Sequence, residues 1–319
     1  MAVLFDRIMT TKSGYEAFLR DDVNNALMRV LNQWGKYLQT PASASVLNDG
    51  PDGWLSPNAF AVMESVTKQP YNTTKSFQEL FQCDPSAAHY GFSSWDDFFT
   101  RRFRPGIRPV AQGDDVIAAA CESHPYNIQH DIKLSDEFYI KGQPYSVINM
   151  LDGDELSPKF AGGTVFQGLL TGASYHRWHA PVSGVIRRAK VKQGTYFSIP
   201  SFQSQCPRPS PAFDGKCIIE SQAYLSSMAT RAIIIIEADN KDLGLVAFIA
   251  VGMTEVSTCD IGIKQGQHVQ KGDELGVFRF GGSSHCLMFQ KDVKLTDWPD
   301  LNDPGDVAVR GALARVLPK

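Results

Sequence analysis

Val277-Phe278-Arg279-Phe280-Gly281-Gly282-Ser283-Ser284-His285 is a strand-like apolar run that stops on two glycines and two hydroxyl residues. Glycines accept φ > 0 and let other groups approach the backbone, so the chain bends sharply here. A serine hydroxyl beside an exposed carbonyl can also attack it, provided a base takes the proton. The stretch is therefore either an ordinary Gly-Ser turn or a nucleophile presented on a bend. Its surroundings decide between the two.

Upstream of this stretch the texture is that of a β protein. Val116 to Ala120, Phe138 to Lys141, Val165 to Leu170, Val185 to Val191, Ile233 to Glu237, Leu245 to Val251 and Val277 to Phe280 are short, β-branched or aromatic runs that predict strands. Tyr145 to Leu151 reads as an interrupting helix, and Pro200 to Gly215 as a long irregular loop, a lid or a surface insertion. Before Arg104-Pro105-Gly106 the pattern is helical. Phe18, Val23, Leu27, Val30, Leu31, Trp34 and Leu38 recur at helical spacing and predict one long amphipathic helix over Ser13 to Leu38, packed on the protein's own core. Ser56-Pro57 caps a helix through Val66, and Ser76 to Gln82 and Ser94-Trp95-Asp96-Asp97 start two more. The expected fold is α+β: an N-terminal helical region over residues 1–104, then a mainly antiparallel β domain over 105–319. Ala180-Pro181-Val182-Ser183-Gly184 and Gly266-Gln267-His268-Val269-Gln270-Lys271-Gly272-Asp273-Glu274-Leu275-Gly276 give that domain a flattened-barrel character resembling biotinyl and lipoyl carriers. No lysine stands at a carrier-type hairpin tip.

Composition narrows the function. A net charge of −3 over 319 residues offers no basic surface, so nucleic acid is not an expected partner. No apolar run reaches the roughly 18 to 20 residues of a membrane span. The first residues lack a secretory signal, and the expected location is cytoplasmic, without stable membrane insertion. The six cysteines form no CxxC pair and signal neither a zinc site nor a disulfide framework.

Three residues carry candidate chemistry besides the serines. His176 and His179 in Tyr175-His176-Arg177-Trp178-His179 would share one face of a helix and oppose each other on a strand; no third ligand accompanies them, so no metal is expected. A single histidine acting as a base needs only an orienting partner and a hydroxyl within reach. Glu122, in Ala119-Ala120-Cys121-Glu122-Ser123, reads locally as a strand-end charge in water.

Taken together, Gly281-Gly282-Ser283-Ser284, Tyr175-His176-Arg177-Trp178-His179-Ala180-Pro181-Val182-Ser183-Gly184, Phe98-Phe99-Thr100-Arg101-Arg102-Phe103 with Arg108-Pro109, and Ile140-Lys141-Gly142 with Tyr145-Ser146 resemble the pyruvoyl-dependent phosphatidylserine decarboxylases. The match runs in order from about Tyr90 to the C-terminus. Within that family the chain looks closest to the branch of fungal L-tryptophan decarboxylases, through Ala119-Ala120-Cys121-Glu122-Ser123, Glu237-Ala238-Asp239-Asn240-Lys241 and Gly252-Met253-Thr254-Glu255-Val256-Ser257-Thr258-Cys259.

The resemblance implies a proenzyme that cuts itself between Gly282 and Ser283. The Ser283 hydroxyl attacks the Gly282 carbonyl, β-elimination breaks the resulting ester, and the new N-terminus becomes a pyruvoyl group derived from Ser283. That ketone forms a Schiff base with the substrate amine and supplies the electron sink a decarboxylation needs. His179 is the implied base for Ser283, Glu122 its orienting acid in place of the family's Asp, and His176 a residue of the decarboxylation step. The extra methylene of Glu122 implies looser triad geometry and slower maturation. His285 departs from the family's apolar residue and either lines the substrate pocket or faces the surface. The expected substrate is a small aromatic L-amino acid, L-tryptophan first, giving the amine and CO2. Phosphatidylserine is the alternative substrate, and a non-catalytic β-barrel binding or carrier protein is the alternative of another class; the oligomeric state stays open.

Overall fold

The computed structural model of the chain describes residues 2–9, 11–135, 145–200, 216–255, 258–280 and 283–319. The expected strand Phe138 to Lys141, residues 201–215 of the irregular loop, Val256-Ser257 and the Gly281-Gly282 pair lie outside the described residues.

Helices α1 (Ala2–Met9), α2 (Lys12–Phe18), α3 (Asp21–Leu38), α4 (Pro57–Lys68), α5 (Phe77–Leu80) and α6 (Trp95–Phe99) precede the first strand. The single helix expected over Ser13 to Leu38 is two helices. Arg20 is extended at ψ 134, and the Asn24 side-chain amide donates to Phe18 O and Arg20 O at 2.8 and 2.9 Å, satisfying carbonyls at the break. The other starts follow their caps. Ser56 accepts from Ala59 N, Ser94 accepts from Asp97 N, and Ser76 with Glu79 closes a capping box.

The β portion is mainly antiparallel and built of open sheets. A seven-stranded sheet runs β2 (His124–Gln129), β3 (Thr164–Leu170), β11 (Ser283–Phe289), β7 (Leu245–Gly252), β6 (Arg231–Ala238), β5 (Gly184–Lys192) and β9 (His268–Val269). Two three-stranded sheets lie beside it: β1 (Val116–Ala118), β13 (Ala312–Val316) and β12 (Leu295–Thr296), and β4 (Arg177–His179), β10 (Glu274–Arg279) and β8 (Thr258–Ile261). Helices α7 (Val147–Met150), α8 (Lys216–Glu220) and α9 (Gln222–Met228) complete the described α-helices.

Runs such as Ile233–Ile236 and Val246–Val251 are apolar at every position because the large sheet is covered on both faces. One face packs Phe166, Ile234, Phe248, Leu287 and Phe289 against Trp178 and Phe278 of the β4-β10-β8 sheet. The other packs Val165, Ile235, Ile249 and Met288 against helices that include α3, α7 and α9. A third cluster joins α5 and α6 to Tyr175, Phe280 and Val309, which brings the N-terminal helices to the edge of the β portion. Among the described residues, no helix is long and apolar enough to cross a membrane.

Candidate active site

Ser283 and Ser284 lie in a central strand. Ser283 opens β11, paired with Leu170 on one side and Gly252 on the other. Immediately before the two glycines, Phe280 sits at φ +78, a left-handed conformation that costs a bulky side chain on the order of 1–3 kcal/mol. It is held there by packing against Trp34, Trp95 and Phe99 at ring-centroid distances of 6.1, 5.8 and 6.2 Å. Backbone strain is therefore stored next to the Gly-Ser bond.

The two-residue period of the strand separates the serines. Ser283 and His285 share a face with Leu287 and Phe289, while Ser284 faces the other way with Cys286 and Met288. Ser284 Oγ accepts from Gln167 Nε2 at 3.2 Å, within a buried network in which Tyr145 OH donates to Gln167 Oε1 at 2.6 Å and Gln167 Nε2 also donates to Gln222 Oε1 at 3.1 Å. Ser283 Oγ is fully buried and has no hydrogen-bond partner among the described residues. One hydroxyl is engaged and its neighbour is left available, a distinction invisible in the sequence.

His285 is completely buried, which removes the surface-facing alternative. Its ring lies against Phe166 and Phe248 at centroid distances of 5.8 and 6.0 Å, and burial pushes its pKa down to about 3. Gly168 makes the room. A Cβ there would stand 2.5 Å from Ser123 Oγ and 2.8 Å from His285 Cε1, so a side chain at 168 would displace both.

Strand β4 carries His179, and His176 stands immediately before it. Arg177 anchors it through Nε to Thr100 O at 2.7 Å and an ion pair with Glu274 at 2.6 Å, which ties α6 to β10. Phe278 N donates to His176 O at 3.0 Å, placing His176 beside the end of β10 that leads to the Gly-Ser stretch. The His176 ring stacks on Phe99 at 4.1 Å. His179 lies further along, paired with Glu274. Its Nδ1 is 2.9 Å from Gly272 O and 3.1 Å from Arg310 Nε, and its Nε2 is 3.1 Å from Tyr175 OH. Burial first, and then the charge of Arg310, lower its pKa to about 4, so the ring is neutral at physiological pH.

Glu122 departs most from the sequence reading. It is buried rather than in water, and it makes no hydrogen bond to His179. Both its oxygens are taken: Arg108 grips them in a two-pronged ion pair, with Nε to Oε2 at 2.8 Å, and Val309 N donates to Oε2 at 3.0 Å. Arg108 in turn donates to Thr67 O at 2.7 Å and lies over the Phe103 ring. Glu122 thus reaches His179 only through the chain, holding Val309 while the next residue, Arg310, touches the imidazole. The group facing His179 Nδ1 as an acceptor is the Gly272 carbonyl. Gly272 sits at φ +89, where a Cβ would also strike Val110 at 2.5 Å. Arg108 and Tyr175 appear in the sequence motifs without a role, and nothing local marks Gln167 or Arg310, because each acquires its contact from a residue dozens of positions away.

Comparison with known proteins places the chain among decarboxylases. The family model described as phosphatidylserine decarboxylase matches residues 95–310, and a second phosphatidylserine decarboxylase model matches residues 1–63. The decarboxylase iboD of Amanita muscaria is 42% identical over 99% of this chain and 91% of its own length. An L-tryptophan decarboxylase of Psilocybe cubensis is 39% identical over 96% of this chain and 71% of its own length. A phosphatidylserine decarboxylase proenzyme of Chlamydia trachomatis is 28% identical over 63% of this chain and 61% of its own length. With a strained approach to a buried, unengaged serine and matches that span nearly all of its length, this chain belongs to the phosphatidylserine decarboxylase family of carboxy-lyases.

Proposed function

We propose that the chain is a self-processing, pyruvoyl-dependent decarboxylase of an aromatic L-amino acid, with L-tryptophan as the first substrate to test. The observation that carries this reading is the contrast between the serines: Ser283 Oγ is buried without a partner behind the strained Phe280, whereas Ser284 is held by Gln167. Cleavage at Gly282-Ser283 would yield residues 1–282 and 283–319. Such a site fits a group made from Ser283 itself, since no other described residue needs to hold it. The pyruvoyl ketone supplies the electron sink for the carbanion left when CO2 departs.

The chain's own residues do the remaining work. His179, neutral and with Nδ1 beside the Gly272 carbonyl, is the proposed base: with the proton on Nδ1, Nε2 keeps a lone pair, which Tyr175 OH faces at 3.1 Å and has to release first. Glu122 is a positioning residue that fixes Val309 and so Arg310 next to that ring. His176, stacked on Phe99, is proposed for the decarboxylation step, placing the substrate or returning a proton to its α-carbon. Phe99, Phe280 and Trp95 form an aromatic wall at this end of the site, which suits an aromatic substrate. The substrate named for the Psilocybe relative supports the same choice.

Mass spectrometry of the purified protein tests the first claim. Two chains are expected, the smaller beginning at residue 283 with a pyruvoyl mass; a single intact chain after prolonged incubation refutes the reading. CO2 release from a panel of free aromatic amino acids and phosphatidylserine vesicles tests the second. Turnover of the lipid alone would replace the proposed substrate.

A further inference from the structure

His179 faces a cavity of about 210 Å³ whose lining includes Arg102, Arg104, Arg108, Tyr175 and Arg310. The charges in it do not balance. Glu122 answers Arg108, and the single carboxylate of Glu274 is shared between Arg102 and Arg177. Arg104 donates to the carbonyls of Gln78 and Cys83 and also contacts the Cys83 thiol, and Arg310 donates to His179; neither has a carboxylate partner among the described residues. Two arginines without a carboxylate partner thus line one cavity.

Arg310 is also built into place. It sits at φ +67, an unfavourable conformation for a long side chain, and its backbone is pinned by N–H donation to Ala119 O at 2.8 Å and by acceptance from Ala111 N at 2.8 Å. Its side chain creates a conflict. A ring nitrogen carries either a proton or a lone pair, yet His179 Nδ1 has an acceptor, Gly272 O, at 2.9 Å and a donor, Arg310 Nε, at 3.1 Å. With Nδ1 protonated, the Arg310 N–H is left unmatched. With Nδ1 bare, the Gly272 carbonyl faces a lone pair and the proton moves to Nε2, where it would block the ring from accepting one.

We propose that this cavity is a phosphate-binding site in which a dianion is held between Arg104 and Arg310, and that its occupancy draws Arg310 from His179 and so selects the Nδ1-protonated tautomer. The charge sets the ligand class: a surplus of at least two positive charges around the cavity matches inorganic phosphate or a phosphate monoester better than a monoanionic carboxylate or diester, and guanidinium forks fit phosphate oxygens. The binding and tautomer claims stand on the geometry; their consequence for catalysis rests on His179 being the base.

The test uses the full chain carrying Ser283→Ala, so that no cleavage or turnover is read. Inorganic phosphate titrated in a calorimeter should bind with one site. Arg310→Met and Arg104→Met, each checked for native near-UV circular dichroism, should each weaken binding by about tenfold or more, the loss of one charge-assisted contact. Nitrogen-15 spectra of the histidine rings should show His179 Nδ1 passing from bare to protonated as phosphate is added. Binding that both arginine variants retain, an unmoved His179 spectrum, or the same heat from sodium chloride at matched ionic strength overturns the proposal. Acetate or glycerophosphoserine binding as tightly as phosphate overturns the dianion assignment. His179→Ala in the cleavable chain tests the base separately, so failure of one claim is distinguishable from failure of the other.

Discussion

Replacing Arg108 with Met in the uncleavable Ser283→Ala chain isolates the buried ion pair that underlies the site. Arg108 and Glu122 are each only 1% exposed, so the substitution leaves a carboxylate in the interior with Val309 N as its remaining donor. Stripping one partner from a buried pair costs about 3–5 kcal/mol, far above the 0–1 kcal/mol typical of an exposed pair. The Thr67 carbonyl loses its donor as well, at about 1 kcal/mol. We therefore expect a loss of about 4–6 kcal/mol in urea unfolding. Adding Glu122→Gln removes the orphaned charge, and the double variant should regain about half of the deficit or more. A loss below about 1 kcal/mol for Arg108→Met, or strict additivity in the double variant, would refute the claim that this pair is sealed from water.

The remaining expectations concern the strand and its histidines. Ser284→Ala should still cleave, and added to the uncleavable Ser283→Ala chain it should lose about 1 kcal/mol in urea unfolding through the Gln167 bond, whereas Ser283→Ala alone should stay uncut, read by mass. His179→Ala should block cleavage, while His176→Ala should cleave and turn over poorly; an uncut His176→Ala chain would overturn that division of roles. Phe99→Leu should leave cleavage intact and lower kcat by about threefold to tenfold through the lost stack on His176. His179 and His285 have folded pKa values of about 4 and 3, below the ordinary 6.5, so the unfolded chain binds more protons and stability falls as pH drops below 6.5. At pH 5 each histidine should cost about 2 kcal/mol relative to pH 7.5. His285→Leu should remove its share. Asp306, raised to about 6 chiefly by burial, acts in the opposite sense, so the difference between parent and variant is the quantity to measure.

Much of the scaffold was legible because it is written locally. Ser56-Pro57, Ser76 with Glu79, and Ser94 start helices through contacts three residues long. Apolar runs such as Ile233–Ile236 became core strands because only a doubly covered sheet buries every position. Legibility failed where a contact crosses the chain. The break at Arg20 depends on the Asn24 amide turning back to Phe18, and the central strand β11 hid behind a Gly-Gly-Ser-Ser pattern that reads as a turn.

The same division holds for the site. The sequence by itself determined the family, the order of its motifs and the residue types its chemistry requires, because covalent neighbours fix a motif. Only the tertiary structure decided which groups meet. Strand register set Ser283 free and Ser284 bound, and burial made His285 a neutral core residue. It also gave Glu122 to Arg108 and Val309 rather than to His179, whose Nδ1 faces a carbonyl and an arginine instead. These pairings span up to 187 positions, as between Glu122 and Val309, and hydrogen bonds act over about 3 Å, so no spacing in the chain can specify them.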